Sequence, residues 1–161
     1  DKSVKNGSSQ SITYVRRAIA NGRIALFQGV FSAPGTVNDV KEDCEKAIQL
    51  GNGGNYVQAL AHYVLGRTHA KICENSYLVR LPLGLGWGDT EEAIRLLEIA
   101  NKLKPNFRMF MFELAKAYVE EDEYDKAKEL LKKIEKAPKV DEDDDKVLAE
   151  AKKLYEEIKN E

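Results

Sequence analysis

The 161 residues predict an all-α protein: a stack of antiparallel helical hairpins with about seven helices. Three observations carry this. Apolar residues recur with helical period from residue 12 onward, the spacing that lines one face of a helix with 3.6 residues per turn. Proline and glycine punctuate that pattern at regular intervals, where a helix must stop. A self-similarity of 34 residues runs through the second half: Ala93 recurs as Ala127 and Leu97 as Leu131, and a fixed period of this size marks a repeat architecture.

The elements follow in order. Ile12, Val15, Ile19, Ile24, Phe27 and Val30 form a broad stripe that predicts a first helix over roughly 11–31, with Gly22 as its weak point. Ser32-Ala33-Pro34-Gly35 breaks it, and Asn38 or Asp39 is expected to cap a second helix reaching Leu50. Gly51-Asn52-Gly53-Gly54 ends that one, glycine tolerating the left-handed conformation common at helix C-termini. A third helix spans about 56–72. The stretch 73–88, with Pro82 and three glycines, reads as irregular. A fourth helix starts near Asp89 or Thr90 and ends before Pro105; a fifth covers about 107–121 and a sixth about 124–136, closed by Pro138. A seventh, about 142–159, places Val147, Ala151, Leu154 and Ile158 inward as a solubilising cap. The domain organisation is therefore a flexible tether over 1–10 and one helical domain over 11–161. The domain comprises a degenerate unit 11–52, a unit with an insertion 56–105, a unit 107–138 and the cap.

Composition excludes several function classes. Charged residues are 32% and hydrophobic residues 43%, which is ordinary for a folded soluble domain, and no run of 18 apolar residues offers a transmembrane helix. Residues 1–119 carry 15 basic against 11 acidic side chains, and 120–161 carry 10 against 16; neither half is basic enough for a nucleic-acid footprint. The run Asp141 to Asp145 reads as a solvated loop whose charge favours the next helix N-terminus. Cys44 and Cys73 read as separate thiols. The chain starts without methionine and reads as a trimmed or mature form; it is expected to be soluble, either cytoplasmic or exported with an N-terminal signal removed.

Catalysis is not expected. His62 and His69 are seven residues apart, two helical turns, whereas two histidines on one helix share a metal best at a spacing of four. Cys73 lies four residues beyond His69, but two ligands do not make a zinc site. Gly51-Asn52-Gly53-Gly54 lacks the lysine and preceding strand of a phosphate loop, and Gly84-x-Gly86-x-Gly88 lacks the strand-to-helix setting of a dinucleotide site. No metal and no cofactor are predicted.

The 34-residue helix–turn–helix period resembles the tetratricopeptide repeat. Leu65, Gly66 and Ala93 suit its first unit, and Leu114, Ala115, Tyr118 and Ala127 its second. Val40, Cys44 and Ala47 form a weaker third copy upstream, while His62 and Met111 stand where the family often has tryptophan. The segment His62-Tyr63-Val64-Leu65-Gly66-Arg67, the insertion 72–88 and the acidic helix after the last unit resemble the regulator-of-microtubule-dynamics type of repeat protein. The resemblance implies a right-handed superhelix whose concave groove is lined by the first helix of each pair. Its groove positions fall on Tyr63 and Arg67 in one unit and Phe112 and Lys116 in the next, flanked by Lys71 and Met109. The lysine and asparagine clamp that some members use for free carboxyl termini is absent. The other candidate surface is the apolar insertion, with Tyr77, Arg80 and Trp87 as a docking loop, unless it folds back to cover the core.

The function expected is a non-catalytic scaffold that holds a peptide or protein partner in its groove. The alternatives are a structural subunit that self-associates or assists a membrane or transport complex, and a binder of a small ligand beneath the insertion.

Overall fold

A computed structural model describes residues 9–161. Most of the expected tether, residues 1–8, lies outside the described residues. Among these, every regular element is helical: α1 Ser11–Gln28, α2 Pro34–Leu50, α3 Gly54–Cys73, α4 Tyr77–Arg80, α5 Thr90–Leu103, α6 Arg108–Glu120, α7 Tyr124–Lys136 and α8 Asp144–Ile158, with 3₁₀ turns at Val30–Ser32 and Leu81–Leu83.

Antiparallel pairs α1–α2, α3–α5 and α6–α7 follow one another, and α8 packs across α6 and α7. The α3–α5 pair is the tightest. A Cβ built on Gly66 would stand 2.9 Å from Leu97 Cγ and 3.1 Å from the Ala93 carbonyl oxygen. A hydrogen at this position thus sets how closely the two backbones approach. Ala93, Leu97 and Ala100 are fully buried beneath α3, as Ala127, Leu131 and Ile134 are in the next pair. The 34-residue period is therefore a packing period.

Several boundaries differ from the sequence expectation, each for a local reason. The first helix stops at Gln28, because Gly29 takes φ +89°. The second starts at Pro34, whose fixed φ suits a first turn and whose missing N–H costs nothing there. Asn38 is accordingly no cap: its Oδ1 accepts the Trp87 indole N–H at 2.8 Å. Asp89 does cap α5, accepting from Glu92 N at 2.7 Å. The insertion is not wholly irregular, since Tyr77–Arg80 completes one α turn. That turn raises the helix count among the described residues from seven to eight.

The acidic run is also less solvated than expected. Asp144 is 1% exposed, and its Oδ2 accepts from the Val140 and Asp141 amides at 2.7 and 2.9 Å. Close by, the buried Arg108 guanidinium donates to the Ala137 carbonyl at 2.6 Å and the Asp144 carbonyl at 3.4 Å. These bonds occupy carbonyls that follow the end of α7 and tie the start of α8 to the start of α6.

At the other end of the stack, Arg17 holds Asp43 bidentately at 2.7 and 2.5 Å, joining α1 to α2. Ser11 Oγ and Gln58 Nε2 both donate to the Ala47 carbonyl, at 2.8 and 3.2 Å, and so bind the first three helices together.

Candidate functional site

A cleft of about 390 Å³ opens between α1, α3 and the start of α6, the first helices of the three successive pairs. Ile19, Leu60, Val64 and Met109 contribute apolar surface to its wall. Tyr63 forms part of the floor; its ring stacks on Phe110 at 4.6 Å between centroids, and burial raises its hydroxyl pKa well above the ordinary value. Such a volume lies at the small end of ligand-binding clefts, about 300–1,000 Å³. Arg23, Arg67 and Lys71 line it toward the C-terminal ends of α1 and α3, and Asp141 and Asp143 line it beside α8.

Four of the six residues expected in the groove line this cleft: Tyr63, Arg67, Lys71 and Met109. Phe112 and Lys116 do not. Phe112 is 7% exposed and packs in the core, outside the lining of this cleft. Lys116 lies over the Phe112 ring, 5.0 Å from its centroid, and pairs with Glu113 at 2.9 Å. Glu113 is itself a residue the sequence reading passed over. Its largely buried carboxylate also meets Arg67 at 3.4 Å, linking α3 to α6. Against burial, which opposes its charge, the Arg67 guanidinium is held protonated by Tyr63 and Glu113.

Sequence reasoning also missed the α1 wall, Ile19, Gly22, Arg23 and Leu26, and the two aspartates of the far rim. The signal for the α1 wall was its standing as first helix of the degenerate unit, which puts it in the series with α3 and α6. The aspartates lie far along the chain and carry no repeat signature.

The insertion divides in two. Leu85 is fully buried beside Ala25, Val37 and Ile72, with Trp87 packed against them. Trp87 also meets His69 edge-on at 4.9 Å, with the Lys41 ammonium 5.6 Å from its ring centroid. This half covers core. The other half faces solvent: Tyr77, Leu78, Val79, Leu81 and Leu83 are all exposed, Leu78 by 82%. Arg80 lies near the Tyr77 ring at 5.5 Å and donates to the Gly88 carbonyl and to Cys73 Sγ. It braces the loop from within and does not reach outward. Gly88 is forced by this packing, because a Cβ there would stand 2.5 Å from Ile72 Cγ2.

The titratable groups considered for catalysis are dispersed. His62 Nδ1 is engaged with the Gln58 carbonyl at 2.7 Å in its own helix. His69 Nδ1 accepts the Asp89 amide at 3.2 Å, and burial lowers its pKa. Among the described residues Cys44 and Cys73 are free thiols, Cys44 fully buried and its pKa pushed up by that burial. No cluster of three or more histidine, cysteine or acidic side chains is placed to hold a metal among the described residues. No described helix is long and apolar enough to cross a membrane.

Comparison with curated proteins finds no significant match. The family model of regulator of microtubule dynamics protein 1-3 matches residues 5–159, so it reaches beyond the two clear repeats to take in α1, the insertion and the acidic α8. By that match, over most of its length and all of the described helices, the chain belongs to the regulator of microtubule dynamics protein 1-3 family.

Proposed function

We propose that the chain is a non-catalytic scaffold of tetratricopeptide type that binds a peptide or protein partner in its concave cleft. The observation that carries this reading is the cleft itself: apolar walls from the first helices of three successive pairs, with basic side chains toward one end. Apolar area drives association when it is buried, and charge at the rim directs which partner docks. The family description suits a part in regulating microtubule dynamics through such contacts.

The test is a pull-down from the source cell with the parent chain and with an Arg23→Glu, Arg67→Glu, Lys71→Glu variant, both first shown folded by circular dichroism. Tyr63 is left unaltered because its stacking on Phe110 supports the fold. A partner captured by the parent and lost by the variant supports the cleft. A partner retained by the variant moves the interaction elsewhere.

A second reading is favoured by one observation, the solvent-facing apolar half of the insertion. It would serve self-association or docking on a larger complex. Sedimentation velocity of the parent against Leu78→Glu separates self-association from the cleft reading.

A further inference from the structure

We infer that the cleft is built for a peptide segment of one direction, with an acidic side chain at one end, apolar side chains in the middle and a basic side chain at the other. The inference rests on the cleft reading above and names the chemistry of the partner.

The charges around the cleft are segregated. Arg67 and Lys71 lie in the C-terminal half of α3, and Arg23 faces them from α1. Two carboxylates touch this set: Glu113, shared between Arg67 at 3.4 Å and Lys116 at 2.9 Å, and Glu74, which meets Lys71 at 2.7 Å. Three cleft cations thus face two anions, one of which is shared with Lys116 outside the cleft, and Arg23 has no carboxylate partner among the described residues.

The opposite end is reversed. Asp141 and Asp143 line the cleft there, and the neighbouring cations are engaged elsewhere, Arg108 with the Ala137 and Asp144 carbonyls and Lys139 with Asp145. That this is the opposite end follows from the helices. Arg108, in the first turn of α6, bonds the Asp144 carbonyl, whereas Arg67 meets Glu113 five residues further along α6, and Lys71 lies four residues beyond Arg67 on α3. At 1.5 Å per residue the basic side chains stand about 7–14 Å beyond the aspartate end.

Between them lie Leu60, Tyr63, Val64 and Met109. An extended chain advances about 3.3 Å per residue, so the acidic and basic side chains of the partner fall about two to four positions apart. The reverse orientation would set like charges against each other at both ends, and juxtaposed like charges are what interfaces use to reject a partner.

The experiment is selection of a random twelve-residue peptide library on the immobilised parent chain. The enriched peptides are then synthesised and their binding read by fluorescence anisotropy at low salt. The expected consensus has an acidic residue, central apolar side chains and a basic residue about two to four positions from the acidic one. Binding should weaken about fivefold in Arg23→Glu and about tenfold in Arg23→Glu/Arg67→Gln, and should fall as salt is raised. A retro-ordered peptide should bind less tightly than the selected one.

A blocking variant separates the two levels of the reading. Gly22 lines the cleft, and a Cβ added there meets nothing within 4 Å, so Gly22→Phe fills the cleft without opposing the core. Peptides blocked by Gly22→Phe but indifferent to charge reversal and to retro-ordering would overturn the polarity and leave the cleft reading standing. Peptides that bind Gly22→Phe as well as the parent, or failure to enrich any peptide, would overturn both.

Discussion

Two glycines sit inside long helices, and the structure assigns them opposite consequences on substitution. At Gly66 a methyl group would stand 2.9 Å from Leu97 Cγ, 3.1 Å from Leu96 Cβ and 3.1 Å from the Ala93 carbonyl oxygen. Leu97 is fully buried and Leu96 is 2% exposed, and the third neighbour is backbone, so none can swing aside into solvent. Overpacking of this kind costs about 1–3 kcal/mol, while alanine in place of glycine inside a helix contributes about 1 kcal/mol in the other direction. Gly66→Ala should therefore lose up to about 2 kcal/mol. At Gly22 nothing lies within 4 Å of the added carbon, only the helical term operates, and Gly22→Ala should gain about 0.5–1 kcal/mol. The assay is urea unfolding followed by helical circular dichroism, with an unchanged slope as the sign that stability alone has moved. For a chain of this size each kcal/mol also moves the thermal midpoint by about 2–4 °C. Gly66→Leu adds three further carbons to the same contact and should abolish cooperative unfolding. The reasoning is refuted if Gly66→Ala is as stable as Gly22→Ala, or if Gly66→Leu melts with the parent.

Two further outcomes follow from buried polar groups. Asp43 is 2% exposed and its partner is Arg17, whose side chain is 32% exposed; Arg17→Met leaves the carboxylate alone and should cost about 2–3 kcal/mol, most of it recovered in Arg17→Met/Asp43→Leu. A double variant as unstable as the single one, by urea unfolding, would show that the ion pair is not what couples these helices. His69 supplies a pH dependence: burial lowers its pKa from 6.5, reinforced by Lys41 and opposed by Glu92 and Asp89. The native state therefore resists protonation that the unfolded chain accepts, so stability is full above pH 6.5 and declines as pH falls through the lowered value. The decline should accompany a change in the emission of Trp87, the one tryptophan of the chain, which lies edge-on to His69. Equal pH profiles for the parent and His69→Asn between pH 6.5 and 5.5 would remove His69 from this role.

What the sequence by itself determined was the succession of helices and the spacing of their small residues. Both are written in nearest-neighbour terms. A stripe with helical period, a proline or glycine stop, and alanine or glycine at one register position are local signals, and a repeat states them more than once. Thus α7 ends at Lys136 just ahead of Pro138, and Gly66 meets Ala93, as the pattern implies. The different roles of Asn38 and Phe112 have a tertiary origin. Asn38 looks like a cap until Trp87, far along the chain, takes its side-chain oxygen. Phe112 sits at a groove register, yet it is buried in the core that α6 shares with its neighbours. Only the tertiary structure decided the cleft wall from α1, the aspartates across from Arg67 and the division of the insertion into a buried half and an exposed half. Each brings together residues with no common period in sequence, and which of them meet depends on how the helices stack.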